Sequence, residues 1–364
     1  MSDLSQLWSH MIAWLSGHVV TPVLFILHIQ GTAGDPSEIA EAGMIAVMQI
    51  CIIGLILRPL ESLWPAERWT DRHLTGIDRL YTLLMLLGLF PLFSFLVLTP
   101  LGNLFLGASS DGAVDSAISV KHLMPWFEHH PLWLFFVYYV IYDLTYYWMH
   151  RAQHAIPWWW ALHSMHHSQR QMSCWTNDRG SYLDGALQSV ILAVVGIAMG
   201  VDPSQFALLM LMGELVQNFS HTNVRIGFGW LIERVFVDPK FHRLHHMRVD
   251  PARPNLHNCN FGQVLSIWDT LFGTALFGEA PRPTGVGDPT IDADNERGLI
   301  AMQWWTLKRF WGAFRRRSGW RFSDVAFGDD YEPIPSRHAD VSTFEQVPRL
   351  VDGVLVRQSL GSDI

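Results

Sequence analysis

Charged side chains and cysteines are both scarce in this chain of 364 residues. Only 16% of the residues are charged, against roughly a quarter in soluble domains. The three cysteines, Cys51, Cys174 and Cys259, are far apart and form no CxxC motif. Their odd number and spacing argue against a disulfide framework, a Cys-type zinc site and a Cys-ligated iron–sulfur cluster. The net charge of −8 gives a nucleic-acid partner no electrostatic support.

Long apolar runs take the place of the missing charge, and Trp and Phe are plentiful. A membrane-spanning helix needs about 20 residues, and the stretches that approach this length are 11–29, 43–57, 82–108 and 131–149. A fifth apolar region, 185–220, is split by Asp202-Pro203 into halves that are short for a full crossing. This region is therefore predicted to form a re-entrant helical hairpin. A buried core helix would explain any single stretch, but four or five together predict membrane insertion.

Positive charge predicts the orientation in the membrane. Loop 58–79 contains four arginines, whereas loop 30–42 has no basic residue and loop 109–130 has only Lys121. Both termini and the histidine-rich region are therefore predicted to be cytosolic, in a bacterial inner membrane or the endoplasmic reticulum. No Lys or Arg precedes Arg58, so the N-terminus lacks the basic region of a signal peptide.

The predicted fold class is an all-α integral membrane protein. About four transmembrane helices and the re-entrant hairpin are expected to be capped by a cytosolic, histidine-rich helical domain. The predicted division places the transmembrane helices in 1–149, the histidine domain with its hairpin in 150–275, and a cytosolic tail in 276–364. Composition changes from about residue 280, where Pro, Asp, Arg and Gly rise, and the tail is expected to contain short helices such as 300–315.

Histidine is the anomaly in the composition, because ten of the eighteen histidines lie between His150 and His257. Their order is His150-x3-His154, His163-x2-His166-His167, His221, His242-x2-His245-His246 and His257. Residues three or four apart share one face of a helix, so each cluster can direct its imidazoles the same way. A lone helical histidine is usually a hydrogen-bonded core or surface residue. Three spaced clusters just after membrane helices instead predict a metal site.

The number of histidines indicates two ions, since eight of them in three clusters exceed what one ion accepts. Imidazole is a common ligand of iron, zinc and copper. The Glu-x-x-His pattern of ferritin-like di-iron proteins and the HExxH pattern of zinc proteases are absent here. An all-histidine site at a membrane edge points to iron and O2 chemistry. Zinc hydrolysis remains open at this stage, because imidazole alone does not separate the two metals.

These motifs resemble those of the fatty acid hydroxylase/sterol desaturase superfamily from about Asp143 to Thr274. His150-Arg151-x-x-His154 resembles the first histidine box, residues 160–168 the second and residues 241–246 the third. Residues 219–224, with His221, are similar to the central histidine segment, and Asn260-Phe261-Gly262 opens a stretch similar to the closing segment. Two departures stand out. Gln217 lies where some members have a histidine, and Arg179-Gly180-Ser181-Tyr182 replaces an Arg-x-His-Pro segment.

The resemblance implies two irons as cofactor, O2 as co-substrate, and hydroxylation or desaturation of a lipid C–H bond. The implied iron ligands are His150, His154, His163, His166, His167, His221, His242, His245 and His246. The chain has no Rossmann fingerprint, no haem-binding His-Pro-Gly-Gly and no CxxC. Electrons are therefore expected from a separate donor, such as a ferredoxin, a flavodoxin-type reductase or a cytochrome b5-like protein. The alternatives are a membrane-bound zinc-dependent lipid hydrolase and a non-enzymatic metal carrier or sensor.

Five further residues are expected to assist the ligands. Gln217 and His257 are predicted to contact a ligand histidine or the substrate. Asp143 and Glu214 are charges near the membrane mouth, and they are predicted either to accept a hydrogen bond from a ligand imidazole or to lie in the solvated interface. Asn260, together with Asp269, is expected to fix the chain after the third box. A solvated surface facing anionic lipid or a redox partner is expected from Arg225, Arg234, Arg243 and Arg248.

Overall fold

The computed structural model describes residues 2–29, 35–69, 71–89, 93, 97, 119–201, 203–248, 258–279, 283–315, 349–351 and 354–356. Within these residues the fold is almost wholly helical, as the sequence predicts. The helices before the histidine region are α1 Ser2–Leu15, α2 Thr21–Ile26, α3 Pro36–Ile52, α4 Arg58–Leu63, α5 Thr75–Leu84 and α6 Val120–Leu123. Short π-helical segments, Ser16–Val20 and Ile53–Leu57, join α1 to α2 and α3 to α4, and Met85–Leu89 extends α5.

The later helices carry or support the histidine clusters. They are α7 Pro131–Ala155, α8 Pro157–His167, α9 Tyr182–Met199, α10 Pro203–Ser220, α11 Gly229–Ile232, α12 Pro239–His245, α13 Ile267–Phe272, α14 Pro289–Asp292 and α15 Leu299–Arg315. Single 3₁₀ turns occur at Pro125–His129, Thr176–Asp178 and Ala293–Glu296. Two short antiparallel strands, β1 Arg349–Val351 and β2 Val354–Val356, pair Arg349 with Val356.

Three helices in the described part of the chain are long and apolar enough to cross a membrane: Ser5–Ile26, Pro36–Leu63 and Tyr182–Met199. The first two contain most of the predicted spans 11–29 and 43–57. Most of the predicted span 82–108 lies outside the described residues. The predicted span 131–149 is helical within α7, but α7 is not among the three, because its sequence mixes apolar residues with many Tyr, Trp and polar side chains.

The predicted hairpin region 185–220 contains two helices, α9 and α10, which follow each other closely in the chain. The helix α9 ends at Gly200, whose φ of 73° lies in the left-handed region. This conformation is favourable for glycine because it has no side chain. A Cβ at Gly200 would fall 2.6 Å from the Ser119 Cβ, so the turn also packs too closely for a larger residue. The expectation that each half is short for a crossing is wrong for α9, which is long and apolar enough by itself. The number of crossings and the re-entrant path stay predictions.

A break between α7 and α8 brings the first two histidine boxes together. Ile156 is extended, with φ −99° and ψ 116°, because the following Pro157 disfavours the helical conformation at the residue before it. Pro157 then begins α8, where a missing N–H costs nothing. The chain therefore turns between His154 and His163 instead of continuing as one helix. The main apolar core of α7, α8, α9 and α10 lies around this turn and includes Tyr138, Tyr142 and Leu162.

Buried carboxylates attach the early helices to the loops around the histidines. Glu61, near the end of α4, is fully buried and accepts hydrogen bonds from the backbone N–H groups of Cys174 at 2.7 Å and Asn223 at 3.0 Å. On α5, Asp78 is equally buried and pairs with Arg179, with Nη1 and Oδ1 3.0 Å apart. The helices of the N-terminal half therefore fix the segment that follows the second box and the segment that follows His221.

The predicted tail is packed against the second histidine box over part of its length. The helix expected over 300–315 forms as α15 and lies along α8, with Met302 and Thr306 fully buried. Thr306 Oγ1 donates a hydrogen bond to Met165 Sδ at 3.3 Å, and Gln303 Nε2 donates to the Gly180 carbonyl at 2.8 Å. The proposed boundary at residue 276 stays a prediction, but the segment up to residue 315 shares the core of the histidine domain.

Arg243 corrects the prediction of a solvated arginine surface. Its side chain is 3% exposed and forms an ion pair with Glu67. Arg243 lies between His242 and His245 on α12, so its helical position directs it inward with the cluster. Glu67 belongs to the loop after α4, and its backbone N–H donates to Asn223 Oδ1 at 2.9 Å. The buried arginine therefore connects the third box to the same loop that holds the His221 segment.

Asp78→Ala is expected to destabilise the protein by about 3–5 kcal/mol, because it leaves the buried Arg179 guanidinium without its partner charge. Asp71→Ala is the matched control, since Asp71 pairs with His73 on the surface with its side chain 70% exposed. That loss is expected to be below about 1 kcal/mol. Unfolding of the purified proteins in one detergent measures both, and equal losses would contradict the structural role assigned to Asp78.

Candidate metal centre

Nine buried histidines from four stretches of chain meet beside the helix bundle. They are His150 and His154 on α7, His163, His166 and His167 on α8, His221 just after α10, and His242, His245 and His246 at α12. None is more than 8% exposed. These are the nine histidines named as ligands from the sequence, and the structure brings all of them together. Each cluster lies on one helical segment, which brings its imidazoles close together, and their role as metal ligands stays a prediction.

The nine imidazoles divide into two groups. The first group consists of His150, His154, His163, His167 and His245, and a ring nitrogen of each lies within 4.8 Å of those of the others. The second group contains His166, His221 and His246 by the same distance criterion. His242 adjoins it, because its Nε2 is 3.0 Å from the Nε2 of His221. The arrangement offers five donors to one ion and four to another.

Nitrogen spacing in both groups fits bound metal ions. The Nε2 atoms of His154 and His167 are 3.0 Å apart, and those of His166 and His221 are 3.1 Å apart. Two imidazoles bound at right angles, each about 2.1 Å from one ion, have nitrogens roughly 3 Å apart. Several other nitrogens have no hydrogen-bond partner in the described part of the chain, although they are buried: Nε2 of His150, His163 and His245, and both ring nitrogens of His246.

Those partnerless nitrogens test whether a metal suits the site. Leaving a buried polar atom without a partner costs about 1–3 kcal/mol, and native proteins contain few such atoms. Several such atoms at one place would lower the stability of the folded protein considerably if nothing bound them. A positive ion that accepts their lone pairs removes that cost, so the residues present fit a two-metal centre.

Hydrogen bonds at the opposite ring nitrogen hold five of the imidazoles in place. The acceptors for Nδ1 are the carbonyls of Phe261 for His150 at 2.9 Å, Arg179 for His166 at 3.0 Å, Gln217 for His221 at 2.7 Å and Cys259 for His245 at 2.7 Å, and Oδ2 of Asp184 for His163 at 3.0 Å. An acceptor at Nδ1 requires the proton there, which leaves the Nε2 lone pair free for a metal.

Burial favours the neutral form of several cluster imidazoles, which is the form that binds metals. Loss of solvation lowers the pKa of His166, His167, His245 and His246 well below the usual value, and neighbouring histidines lower it further. Burial also lowers the pKa of His221 to about 4. Because these folded-state pKa values lie below the ordinary value of about 6.5, the rings stay uncharged at neutral pH, and the one unprotonated nitrogen of each ring keeps its lone pair available.

The acidic residues expected to assist the ligands lie elsewhere. Asp143 is not hydrogen-bonded to any histidine of the described chain, and it is not exposed to solvent either. Its buried carboxylate accepts from the backbone N–H groups of Val264 and Leu265 and from Trp268 Nε1, at 2.8–3.1 Å. Glu214 accepts from Asn177 Nδ2 at 2.6 Å instead of from an imidazole. A substrate contact at Glu214 stays a prediction.

The other expected assistants divide between the site and the chain behind it. Gln217 touches His221 through its backbone carbonyl, while its side-chain Oε1 accepts from Tyr146 OH at 3.1 Å. Asn260 has a left-handed φ of 60°, and its side chain bonds the Phe241 carbonyl and both backbone groups of Leu276. It therefore fixes the chain after the third box, as expected. His257 lies outside the described residues.

Asp184 is a functional residue that the sequence reasoning missed. Besides accepting from His163, its carboxylate accepts from Trp159 Nε1 and Gln153 Nε2, both at 2.8 Å. These two donors hold the carboxylate in position for the ring nitrogen. A signal was present, because Asp184 is the one charged residue in the otherwise apolar helix Tyr182–Met199, and such a charge is usually functional.

The described part of the chain combines three helices that are long and apolar enough to cross a membrane with two buried histidine groups that could hold metal ions. The sequence profile described as fatty acid hydroxylase matches residues 135–274, which include all nine histidines. This part of the chain belongs to the fatty acid hydroxylase/sterol desaturase superfamily, as its motifs indicate. The profile leaves residues 1–134 and 275–364 unmatched.

Curated relatives from animals, bacteria and fungi support the assignment. The chain is 32% identical to alkylglycerol monooxygenase of Xenopus tropicalis over 42% of its own length and 32% of the relative. It is 28% identical to ornithine lipid hydroxylase OlsE of Rhizobium tropici, over 44% and 46% of the two chains. It is also 28% identical to Delta(7)-sterol 5(6)-desaturase ERG3B of Gibberella zeae, over 40% and 42%. The chain thus spans less than half the length of these relatives. No solved structure matches it.

His163→Ala and His246→Ala, one from each group, are each expected to lower the bound metal by about one ion per chain, because each variant removes a donor from a different ion. Metal analysis of the purified proteins by mass spectrometry measures the loss. His73→Ala is the control, since His73 is 60% exposed and lies outside both groups. Unchanged metal content in both cluster variants would refute the two-ion arrangement.

Asp184→Asn is expected to weaken metal binding by about 10- to 100-fold, because the neutral amide is a poorer acceptor for His163 Nδ1–H. Competition with a chelator of known affinity measures the change. Asp178→Asn is the matched control, since Asp178 accepts from Thr82 Oγ1 at 2.7 Å and bonds no histidine. If both variants retain metal equally well, Asp184 has no role in orienting the ligand.

Proposed function

We propose that this protein uses O2 to hydroxylate or desaturate a C–H bond of a membrane lipid at a di-iron centre held by the nine histidines. The observation that carries the proposal is the pair of all-imidazole groups with inward, partnerless nitrogens. The curated relatives named above act on alkylglycerols, ornithine lipids and sterols, all of them lipids. A lipid substrate for this chain agrees with the apolar helices around the site.

The donor set favours oxidation over hydrolysis. Iron bound in this way supplies the power to activate O2 and oxidise an unactivated C–H bond, which no amino-acid side chain has. A zinc hydrolase would need a carboxylate base beside the metal. Asp184 is the acid that hydrogen-bonds a cluster histidine, and it is already occupied by three donors. It lies on the Nδ1 side of the His163 ring, where it anchors the ligand, and not beside the Nε2 atom that would face the metal.

The chain's own residues would bind the ions, keep the imidazoles neutral and exclude water. Phe261 supplies much of the exclusion, because its ring lies 5.7 Å from the ring of His150, 5.2 Å from that of His154 and 5.6 Å from that of His245. Trp160 covers His154 and His167 at 4.9 and 5.4 Å. A dry, apolar enclosure protects a reactive site from unwanted proton and water chemistry.

The proposed topology places the histidine site at the cytosolic end of the helices, where a lipid can enter from the bilayer and a soluble donor can dock. Two electrons from outside the chain are needed for each O2 consumed. A separate ferredoxin, flavodoxin-type or cytochrome b5-like protein is the proposed source. A cluster at the membrane surface meets both needs, because substrate and reductant approach it from different sides.

Comparative lipid analysis under ¹⁸O2 tests this function. A deletion strain complemented with the intact gene is expected to form a lipid that carries one ¹⁸O atom or has lost two hydrogens, and His245→Ala is expected to abolish that product. His73→Ala should form it normally, because its side chain is exposed and away from both groups. Identical lipids with and without the intact gene would refute the proposal. Zinc in the purified protein, with release of a hydrolysed lipid, would favour the hydrolase instead.

A further inference from the structure

Gln263 is a buried amide that lacks hydrogen bonds. Its side chain is 2% exposed, and neither Oε1 nor Nε2 has a partner among the residues described. On burial this amide has lost its hydrogen bonds to water and has gained none among the described residues, which lowers the stability of the folded protein. Because native proteins retain few such groups, an orphaned amide beside a functional centre points to a ligand that completes it.

A glycine on α10 makes room for this amide. A Cβ placed on Gly213 would lie 2.8 Å from Gln263 Nε2, so no larger residue fits there without moving the amide. Gln217 follows one turn later on the same face of α10. Its Oε1 accepts from Tyr146 OH at 3.1 Å, and the Tyr146 ring is 5.7 Å from that of His150. The side of α10 that contacts Gln263 therefore leads towards the histidines.

The segment that carries Gln263 is firmly held. Phe261, two residues earlier, accepts from His150 through its carbonyl at 2.9 Å. Val264, the next residue, donates its backbone N–H to Asp143 on α7 at 3.0 Å. Gln263 is thus fixed between α7 and α10 by bonds on both sides, and its amide lies against α10 without flexibility in the backbone behind it. A fixed donor and acceptor of this kind suits recognition of a bound molecule.

We propose that Gln263 determines specificity by hydrogen-bonding an oxygen atom of the lipid substrate, namely a hydroxyl, ether or carbonyl oxygen. This inference rests on the proposed function, because it takes a lipid to be the substrate of the histidine site. Gly213 precedes His221 by eight residues, which is about 12 Å along a helix. The recognised oxygen would therefore lie several bonds away from the carbon at the metals. A plain hydrocarbon would leave the amide unpaired.

Gln263→Leu tests the proposal because it is expected to maintain or raise the stability of the lipid-free protein while it weakens binding of an oxygenated lipid. Replacing an unpaired amide with an apolar side chain of similar size should leave the lipid-free protein at least as stable as before. The same change should weaken binding of 1-O-hexadecylglycerol by about fivefold, through loss of the hydrogen bond. Binding of hexadecane, which has no oxygen, should not weaken. Equilibrium binding of the two labelled lipids to metal-loaded protein in detergent, with thermal unfolding alongside, measures all three.

Gly213→Ala provides a second variant, because the added methyl group displaces the Gln263 amide without changing that residue. It should reproduce the loss of preference for the oxygenated lipid. Gly185→Ala on α9 is its matched control, since the nearest atom to a Cβ there is Met85 Cε at 4.0 Å. The control should bind both lipids as the parent protein does.

Three results would overturn the proposal: equal weakening for both lipids, no weakening for either, or a loss of stability in Gln263→Leu without a change in lipid preference. The second result would mean that ordered water completes the amide. These outcomes are separate from failure of the proposed function, because binding is measured without turnover. If the protein prefers the oxygenated lipid through Gln263 but oxidises neither lipid, the inference about Gln263 stands and the proposed oxygenase function is refuted.

Discussion

The structure depends on holding nine buried imidazoles close together. Each ring has to give up solvent and direct a lone pair towards its neighbours, and several Nε2 atoms have no hydrogen-bond partner among the described residues. Such a cluster is unfavourable on its own terms, since burial and mutual repulsion both oppose it. The surrounding fold has to hold it, and most of the buried polar contacts in the described chain serve that purpose.

The support comes from backbone carbonyls more than from acidic side chains. Phe261, Cys259, Arg179 and Gln217 each offer a main-chain oxygen to an Nδ1 atom, and Asp184 is the carboxylate that does the same. Loops have to be placed accurately for carbonyls to do this. Their placement in turn requires the charges that the apolar helices bury, such as Glu61 and Asp78. The orientation of the imidazoles thus depends on residues that do not belong to the histidine groups. The buried carboxylates hold the loops, and the carbonyls of the loops hold the rings.

The sequence was sufficient for the helical class of the fold and for the convergence of the nine histidines, because helical spacing directs the members of each cluster the same way. It was insufficient for their supports. A carbonyl acceptor has no sequence signature, since every residue has one. Asp143 was recognised as an unusual charge, but its partners Val264 and Leu265 lie more than 120 residues later. Arg243 was read as surface because Glu67, its partner, comes from a distant loop. Asp184 is the exception, because a single charge in an apolar helix is visible in the sequence.

The packing of α15 against α8 has a consequence for biosynthesis. The second histidine box needs Met302 and Thr306 to bury its outer face, so it is incomplete until nearly 140 further residues have emerged from the ribosome. Contacts separated this widely in sequence form late, because a long loop has to close first. Insertion of the N-terminal helices can precede this step. The histidine domain is therefore complete only after this late segment has packed against α8.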